Sequence, residues 1–396
     1  MIKKQKTVMM IGGGIQEVKA VEIAQSVGYK VIVTDRIKDA PCFTHADYTA
    51  KIDGRDIEGL IAYTLLNKEK LNIVGVFTLT ELVTSVAAVA NACGLPGVPL
   101  ESAVACQNKQ LCKKIWLKNK IQTPHGYAVS TLQEAKKLFY KFNNNIFVKP
   151  LVSFGGKNSQ RVSSDDELKV YFSKVNNNEL LIEEFLDGSM HDVNGLIDEK
   201  GTFHPMGIVD RFFLEKYPVE KAISTPSMLS VKKQTKLYKL LEDSVKALGI
   251  NWGPVKGDAI LVDDNFHIFE VAPRLHGPKN SLYLLPYSGF NCLEKSLGTM
   301  IGKTSNNLKI NQNHYSHCSA LLPAIGTLFN SNKIKKWKKN GKIIEHLIFK
   351  SNNEVIYRYM DSTDVPAYIF LQGKSYGDCE KTLESLIGST NGNNIK

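Results

Sequence analysis

Apolar runs and amphipathic segments alternate along the first hundred residues of the chain. The pattern predicts strands over residues 8–11, 31–34 and 73–77, and helices over residues 18–27, 57–66 and 82–92. Strands that alternate with helices form parallel sheets covered on both faces, so the pattern indicates a Rossmann-like α/β domain over residues 1–105. After two prolines, a further helix is predicted over residues 102–118.

The pattern changes near residue 123, where shorter apolar runs are separated by clusters of Asn, Asp and Ser. Strands are predicted over residues 146–150, 180–185, 191–197 and 203–210, and helices over residues 132–141 and 166–175. This mixture indicates an α+β domain over residues 106–300, with one lobe near 123–185 and a second near 186–300. After an Asn-rich connection, residues 301–396 predict a small β-rich C-terminal domain that ends in a helix over 376–387.

The charge balance of the chain is basic, with 50 Lys and Arg residues against 39 Asp and Glu residues and a formal net charge of +11. This surplus permits nucleic-acid binding, but few aromatic residues are interleaved with the lysines, so no nucleic-acid partner is expected. The same surplus suits an enzyme that handles polyphosphates and carboxylates.

The seven cysteines include no C-x-x-C pair, which indicates a reduced, intracellular protein. The segment before the first glycine turn is too short for a signal-peptide core or a membrane span. We therefore expect a cytoplasmic protein with no membrane association.

A glycine turn at residues 12–14 follows the first strand, an arrangement typical of a dinucleotide cofactor site. A dinucleotide fingerprint places its third glycine where this chain has Glu17, and a carboxylate there opposes a bound pyrophosphate. The turn is therefore predicted to present backbone N–H groups to an anionic substrate or to the neighbouring lobe, with Gly13 as the candidate substrate contact. An NAD-dependent oxidoreductase stays open as an alternative.

A phosphate-binding loop is predicted after the strand at residues 146–150, which delivers Lys149 beside Pro150. Glycine backbone N–H groups and lysine ammonium groups suit phosphate oxygens, and the loop contains Ser153, Gly155, Gly156, Lys157 and Ser159. Lys109 opens a helix about forty residues upstream, so the two lysines are expected to reach one polyphosphate from different sides. Farther along, the apolar strand at 180–185 turns into a polar segment, which offers a slot for an adenine ring.

Two carboxylates are predicted to face each other across a hairpin whose turn is Asp263-Asp264-Asn265. Asp258 lies near the start of the first strand, and Glu270 lies near the end of the second. Paired carboxylates beside a polyphosphate are the oxygen ligands that Mg²⁺ prefers, and Mn²⁺ is the other candidate ion. Arg274 follows directly and is expected to clamp a transferring phosphoryl group.

These elements, in this order, resemble the ATP-grasp superfamily over almost the whole chain. The resemblance implies that residues 1–105 precede an ATP-grasp domain, that residues 106–300 hold ATP between two lobes, and that residues 301–396 form a small closing domain. It implies the following site residues: Lys109, Lys149, Ser153, Gly155, Gly156 and Ser159 for the ATP phosphates, Glu183, Glu184, Phe185 and Leu186 for adenine, Asp258 and Glu270 for the metal, and Arg274 and Lys157 for catalysis. The segment Thr80-Glu81-Leu82 belongs to the same resemblance and makes Glu81 a candidate substrate contact.

The chain departs from the superfamily pattern at two positions. The acid that usually holds the ribose hydroxyls is replaced by Met190, so His191 is the candidate ATP contact in this segment. The segment usually read as E-x-N-P-R contains Ala272, which has no amide oxygen for a second metal ion. His276 or a water molecule is the expected substitute, and a catalytically weak member of the superfamily stays open.

The resemblance implies an ATP-dependent ligase that joins a small-molecule carboxylate to an amine through an acyl-phosphate. The acid and amine pockets are expected from irregular segments at 211–230 and 276–285, with Arg211 and His276 as candidate contacts. A bicarbonate-phosphorylating carboxylase or a carbamoyl-phosphate-type enzyme is the alternative within the superfamily, and a non-catalytic ATP-binding protein is another. A homodimer is left open.

Overall fold

The first strand of the chain is buried along its whole length, which explains its apolar sequence. In the computed structural model, which describes residues 4–152, 155–175, 179–300 and 308–387, this strand is β1 (Thr7–Ile11). Val8 and Met10 contribute to one apolar core, and Met9 and Ile11 contribute to another. A parallel strand covered on both faces needs apolar side chains on both faces.

The other strands are β2 (Lys30–Asp35), β3 (Tyr48–Lys51), β4 (Ile73–Phe77), β5 (Gly126–Val129), β6 (Ile146–Pro150), β7 (Gln160–Val162), β8 (Leu180–Glu184), β9 (Ser189–Ile197), β10 (Phe203–Phe213), β11 (Glu220–Thr225), β12 (Gly253–Val262), β13 (Asn265–Ala272), β14 (Tyr315–Leu321), β15 (Glu345–Ile348) and β16 (Ala367–Gly373). The α-helices are α1 (Val18–Ser26), α2 (Ile57–Leu71), α3 (Val83–Ala92), α4 (Leu100–Gln107), α5 (Lys109–Lys118), α6 (Leu132–Lys141), α7 (Asp165–Lys174), α8 (Val231–Ala247), α9 (Leu285–Ser288), α10 (Cys292–Thr299), α11 (Ser331–Lys339) and α12 (Tyr376–Ile387). A π-helix spans Lys279–Leu284, and short 3₁₀ turns lie at Ile15–Glu17, Pro41–Thr44 and Ser362–Asp364.

The N-terminal strands form the expected parallel sheet, in the order β3-β2-β1-β4. Helices α2 and α3 pack on one face of this sheet. The other face joins the core of the neighbouring sheet through α10 and the π-helix. The predicted Rossmann-like α/β arrangement is therefore confirmed.

Two parts of the predicted secondary structure need correction. The single helix expected at 102–118 is two helices, because Asn108 is extended and its side chain caps α5 by accepting the Leu111 N–H at 3.0 Å. The segment expected to be irregular after Arg211 contains β11, and α8 follows it. The long helix α8 was not anticipated, although its apolar residues recur with helical spacing.

Strands β5 to β8 form a second sheet, in the order β5-β8-β6-β7, and α6 and α7 cover it. Every pairing in this sheet is antiparallel. The sheet and its helices correspond to the first predicted lobe.

Within the described residues, β9 to β16 form one antiparallel sheet in the order β13-β12-β9-β10-β11-β14-β16-β15. Helices α4, α5 and α8 bury one face of its first half. Strands β14 to β16 were expected in a small separate domain, but β14 pairs with β11 and so extends the same sheet. In the described part of the chain, no helix is long and apolar enough to cross a membrane.

The junction between β11 and β14 contains a fully buried histidine. His317 lies opposite Ser224 in the register of the two strands, and its Nδ1 is 2.7 Å from the Ser224 Oγ. Its ring contacts the ring of Tyr376 edge to face. Burial lowers the pKa of His317 from 6.5 to about 4, because a charged imidazole loses its hydration there.

Lowering the pH from 7 to 4 is expected to destabilise this junction. The unfolded chain protonates the imidazole below about pH 6.5, whereas the folded chain resists protonation until about pH 4. The contribution of neutral His317 to the free energy of unfolding is therefore complete above pH 6.5. As the pH falls from 6.5 to 4, this free energy is expected to decrease by on the order of 1–3 kcal/mol. In urea unfolding across this range, His317→Gln should show a weaker pH dependence than the native chain. The exposed His314→Gln is the control, and equal pH slopes for all three proteins would contradict the assignment.

Candidate active site

A cavity of about 990 Å³ opens between the first lobe and the large sheet, and its wall includes residues from every part of the chain. Gln16 and Glu81 come from the N-terminal domain, Lys149 comes from β6, and Ser362 comes from the C-terminal segment. The cavity is large enough for a nucleotide and a second small molecule.

Most residues proposed from the sequence lie on this wall. They are Lys109, Lys149, Gly155, Gly156, Ser159, Glu183, Glu184, Phe185, Leu186, Asp258, Glu270, Arg274, Glu81, Arg211 and His276. Their roles toward ATP, metal and substrate stay predictions. Ser153 lies outside the described residues, and Lys157 is exposed and does not belong to the wall.

The structure corrects the assignment of His191 to the ATP site. Successive side chains of a strand point to opposite faces, and Met190 and Asp192 face the cavity. His191 therefore lies on the other face of β9, where its ring contacts Phe266. Its Nδ1 is 2.7 Å from the Asp210 carboxylate, so it belongs to a buried structural network.

The structure also corrects the assignment of Gly13. Its backbone N–H donates to the Asp35 carboxylate at 2.9 Å, and its carbonyl accepts the Cys42 N–H at 3.1 Å. A Cβ at Gly13 would lie 2.8 Å from the Cγ1 of Val33. This glycine therefore allows the turn to pack closely against β2, and its N–H group is already occupied.

Lys149 is held on the cavity wall by a buried ion-pair triad. The Glu183 carboxylate lies 2.6 Å from the Nζ of Lys149 and 2.8 Å from the Nζ of Lys113. Burial opposes ionisation of Glu183, but the two ammonium groups outweigh it and lower the pKa of this carboxyl. The Glu183 side chain thus positions a lysine, a role that its position in the predicted adenine segment did not indicate.

The hinge after β8 brings an aromatic ring to the cavity. The guanidinium of Arg161 stacks over the ring of Phe185, with 4.2 Å between its central carbon and the ring centroid. Arg161 Nε also donates to the Asn145 side chain at 2.9 Å. Phe185 and Leu186 both line the cavity beside these groups, as expected for an apolar slot.

The predicted pairing of Asp258 with Glu270 is confirmed by the register of β12 and β13. A register shift follows this pair, so that Phe269 has no partner of its own on β12. Such a bulge turns consecutive side chains the same way, and both Phe269 and Glu270 reach the cavity wall. Lys256 extends from β12 toward both acids, with its Nζ 2.9 Å from Asp258 Oδ2 and hydrogen-bonded to Glu270 Oε1.

A second group of buried polar side chains adjoins Asp258. His276 Nε2 is 2.8 Å from Asp258 Oδ1 and 3.3 Å from Asp192 Oδ1, while its Nδ1 contacts the Asn194 side-chain oxygen at 2.9 Å. Potential ligand atoms of Asp192, Asp258 and His276 lie within 4.8 Å of one another. Oxygen ligands from Asp258 and Glu270, with Asp192 and His276 nearby, fit a divalent cation at this wall.

Arg274 connects the large sheet to the N-terminal domain. One guanidinium nitrogen donates to the Leu275 carbonyl at 2.8 Å, and another pairs with the Glu81 carboxylate. The buried Nε–H has no hydrogen-bond partner among the described residues. The side chain is nonetheless part of the cavity wall, so an anion in the cavity lies within reach of this guanidinium.

Arg211 lies on β10, in a strand and not in the irregular segment that was expected. Its guanidinium binds Asp192 at 2.8 Å and Glu220 at 2.7 Å, and Lys279 binds the other oxygen of Glu220. Burial opposes ionisation of Glu220, but Lys279 and Arg211 lower its pKa to about 2. Asp192, Glu220 and Lys279 are not indicated by the sequence, because their partners lie on neighbouring strands or, for Lys279, 59 residues away, and depend on how the sheet pairs.

Two other site residues have a local signal in the sequence. Lys256 precedes Asp258 by two positions, and the period of a strand places both on one face. Lys113 follows Lys109 by four positions, which places both on one side of a helix.

Residues 106–278 match the protein family described as an ATP-grasp domain. The resemblance found in the sequence is thereby confirmed for this segment.

Similar proteins extend the comparison to the rest of the chain. The carbamoyl phosphate synthase large chain of Agathobacter rectalis is 23% identical over 216 residues, which are 52% of this chain and 20% of that protein. The structure of an L-amino acid ligase from Bacillus licheniformis matches with a TM-score of 0.81 and 22% identity, covering 97% of this chain and 98% of the ligase. A third match is the biotin carboxylase domain of a Hydrogenobacter thermophilus 2-oxoglutarate carboxylase, solved as a dimer with MgADP, ADP and bicarbonate. It has a TM-score of 0.71 and 14% identity, and the match covers 97% of this chain and 90% of that domain. The chain thus spans a fifth of the synthase and nearly all of the ligase, whose fold it shares.

Glu183→Gln is expected to destabilise the protein, because it leaves the ammonium groups of Lys113 and Lys149 buried without a counter-charge. Breaking a buried pair on one side costs on the order of 3–5 kcal/mol in the free energy of unfolding. Urea denaturation of the variant and the native chain would measure this loss. The control is Glu184→Gln, which loses only a carboxylate that accepts the His125 N–H at 2.6 Å. The triad assignment fails if the neighbouring variant is destabilised equally.

Proposed function

We propose that this chain, which carries an ATP-grasp domain over residues 106–278, is an ATP-dependent ligase that joins a carboxylate to an amine through an acyl-phosphate. One observation carries the proposal: groups suited to every part of this chemistry converge on one cavity. Lys149 comes from the first lobe, Asp258 and Glu270 come from the hairpin, and Arg274 is held by Glu81 of the N-terminal domain.

The proposed reaction has two steps. A carboxylate oxygen attacks the γ-phosphorus of ATP, the bond from that phosphorus to the bridging oxygen breaks, and ADP leaves. The amine nitrogen then attacks the acyl carbon and loses a proton, while the bond between the acyl carbon and the phosphate oxygen breaks and phosphate leaves. The protein contributes position and charge, with Lys149 near the phosphates and Arg274 near the transferring group.

The carboxylates of Asp258 and Glu270 provide the oxygen ligands that a hard divalent cation requires. Mg²⁺ held there would neutralise charge on the ATP phosphates, and Mn²⁺ has the same ligand preference.

Amino acids are the first carboxylates to test. The similarity to an L-amino acid ligase supports this choice, and so does the end of the cavity where Arg211 and Lys279 lie. These cations are adjacent to the acids Asp192 and Glu220, so this end carries partners for both an ammonium and a carboxylate group.

A bicarbonate-phosphorylating enzyme is the second candidate. It is supported by the similarity to the carbamoyl phosphate synthase large chain and to a biotin carboxylase domain solved with bicarbonate. An NAD-dependent oxidoreductase has less support, because the Gly13 N–H that would face a pyrophosphate is bonded to Asp35.

The activity is tested by ATP-dependent phosphate release with Mg²⁺ and an array of amino acids, hydroxy acids and sugar acids, each with and without an amine. Release is expected only with an acid and an amine together, and hydroxylamine in place of the amine should give a hydroxamate from the acyl-phosphate. Release that needs bicarbonate and no other acid would favour the second candidate. Nucleotide binding without phosphate release from any pair would identify a non-catalytic protein.

Arg274→Ala is expected to lower the turnover number by about 10²–10³-fold, the effect of removing one preorganised transition-state donor. The control is Arg358→Ala, since the Arg358 side chain is 62% exposed and does not line the cavity. Steady-state phosphate release with the best acid–amine pair provides the measurement. Turnover of the Arg274 variant close to that of the control would exclude this role.

A further inference from the structure

Lys256 occupies a central position on the wall of the cavity. It lies on β12, two residues before Asp258, and opposite Ala272 in the register with β13. Its side chain is only 4% exposed. A lysine is seldom buried to this extent unless its charge is paired, so its partners define what it does.

Both partners of Lys256 are the acids predicted to bind metal. The ammonium lies 2.9 Å from Asp258 Oδ2 and is hydrogen-bonded to Glu270 Oε1. Asp258 and Glu270 face each other across the ladder, and two carboxylates so close repel unless a cation lies between them. The Lys256 ammonium supplies this cation, and it cannot dissociate because it belongs to the chain.

The residue opposite Lys256 allows this arrangement. Ala272 has a single methyl side chain and no ligand atom, so it neither competes for the ammonium nor offers an oxygen to a metal ion. The remaining Asp258 oxygen, Oδ1, turns away from Lys256 toward His276. A metal ion bound by Asp258 and Glu270 must therefore share them with the ammonium.

We propose that the Lys256 ammonium is a fixed cation that takes the place of a second divalent ion, so that the nucleotide binds with one divalent ion per chain. The inference rests on the proposed nucleotide site. Lys256 acts on the bound ion and the phosphates through the two carboxylates, so it is a positioning residue.

The proposal is tested by counting bound ions. The native chain is saturated with a non-hydrolysable ATP analogue and titrated with Mn²⁺, and the free ion is measured by electron paramagnetic resonance. One Mn²⁺ per chain is expected. Two Mn²⁺ per chain with the analogue bound would overturn the inference and leave the proposed function intact, whereas failure to bind the analogue would overturn both.

Lys256→Met tests the role of the charge, because methionine keeps an unbranched apolar side chain and removes the ammonium. With Ala272→Asn added to supply a ligand atom, the double variant is expected to bind two Mn²⁺ per chain. Lys221→Met is the control, since Lys221 lies on the same cavity wall in β11. This variant should bind one Mn²⁺ per chain. A single bound ion in a double variant that still binds the analogue would contradict the proposal.

Thermal unfolding gives a readout that needs no nucleotide. Lys256→Met leaves Asp258 and Glu270 in mutual repulsion, so Mn²⁺ should raise its melting temperature by more than it raises that of the native chain or of Lys221→Met. Equal shifts in the three proteins would count against a cation site that Lys256 fills. The ion count on the native chain decides the question even if a variant does not fold.

Discussion

Charge compensation around Lys256 holds the wall of the cavity in one arrangement. Its ammonium joins Asp258 to Glu270, and His276 continues the network from Asp258 to Asp192. Because each of these groups is largely buried, removing any one leaves an unpaired charge in a medium of low dielectric constant. Strands β9, β12 and β13 therefore cannot slide past one another without separating opposite charges, and the site is positioned before any ligand binds.

An ion pair and a hydrogen bond also connect the large sheet and the glycine-rich loop to the two ends of the chain. Arg274 of the large sheet pairs with Glu81 of the N-terminal domain, and Ser362 of the C-terminal segment donates to the Gly155 carbonyl in the glycine-rich loop at 3.1 Å. The N-terminal domain thus contributes Gln16 and Glu81 to the cavity wall, and its glycine turn packs against β2. The segment that matches the ATP-grasp family, residues 106–278, thus shares the cavity wall with residues from the parts of the chain before and after it.

Local patterns in the sequence predicted several features that depend on neighbours along the chain, although they joined α4 and α5 into one helix and missed α8. The parallel N-terminal sheet, β6 and the pairing of Asp258 with Glu270 follow from apolar runs and from one hairpin turn. His191 was assigned to the wrong face of its strand, because an isolated strand does not reveal which face meets the cavity. Gly13 was assigned to a substrate because the sequence does not show that Asp35 occupies its N–H group.

The sequence by itself determined the main alternating strands and helices of the N-terminal sheet, the glycine-rich and lysine-bearing loop, and the acids and arginine of the hairpin, because these depend on residues close in the chain. Only the tertiary structure decided which charges meet. Lys113 and Lys149 share Glu183, Arg211 joins Asp192 to Glu220, and strands β14 to β16 extend the large sheet. The ion pairs join side chains of different strands and helices through the pairing of buried charges, and the sheet is extended by backbone pairing of β14 with β11. No local pattern specifies either kind of contact.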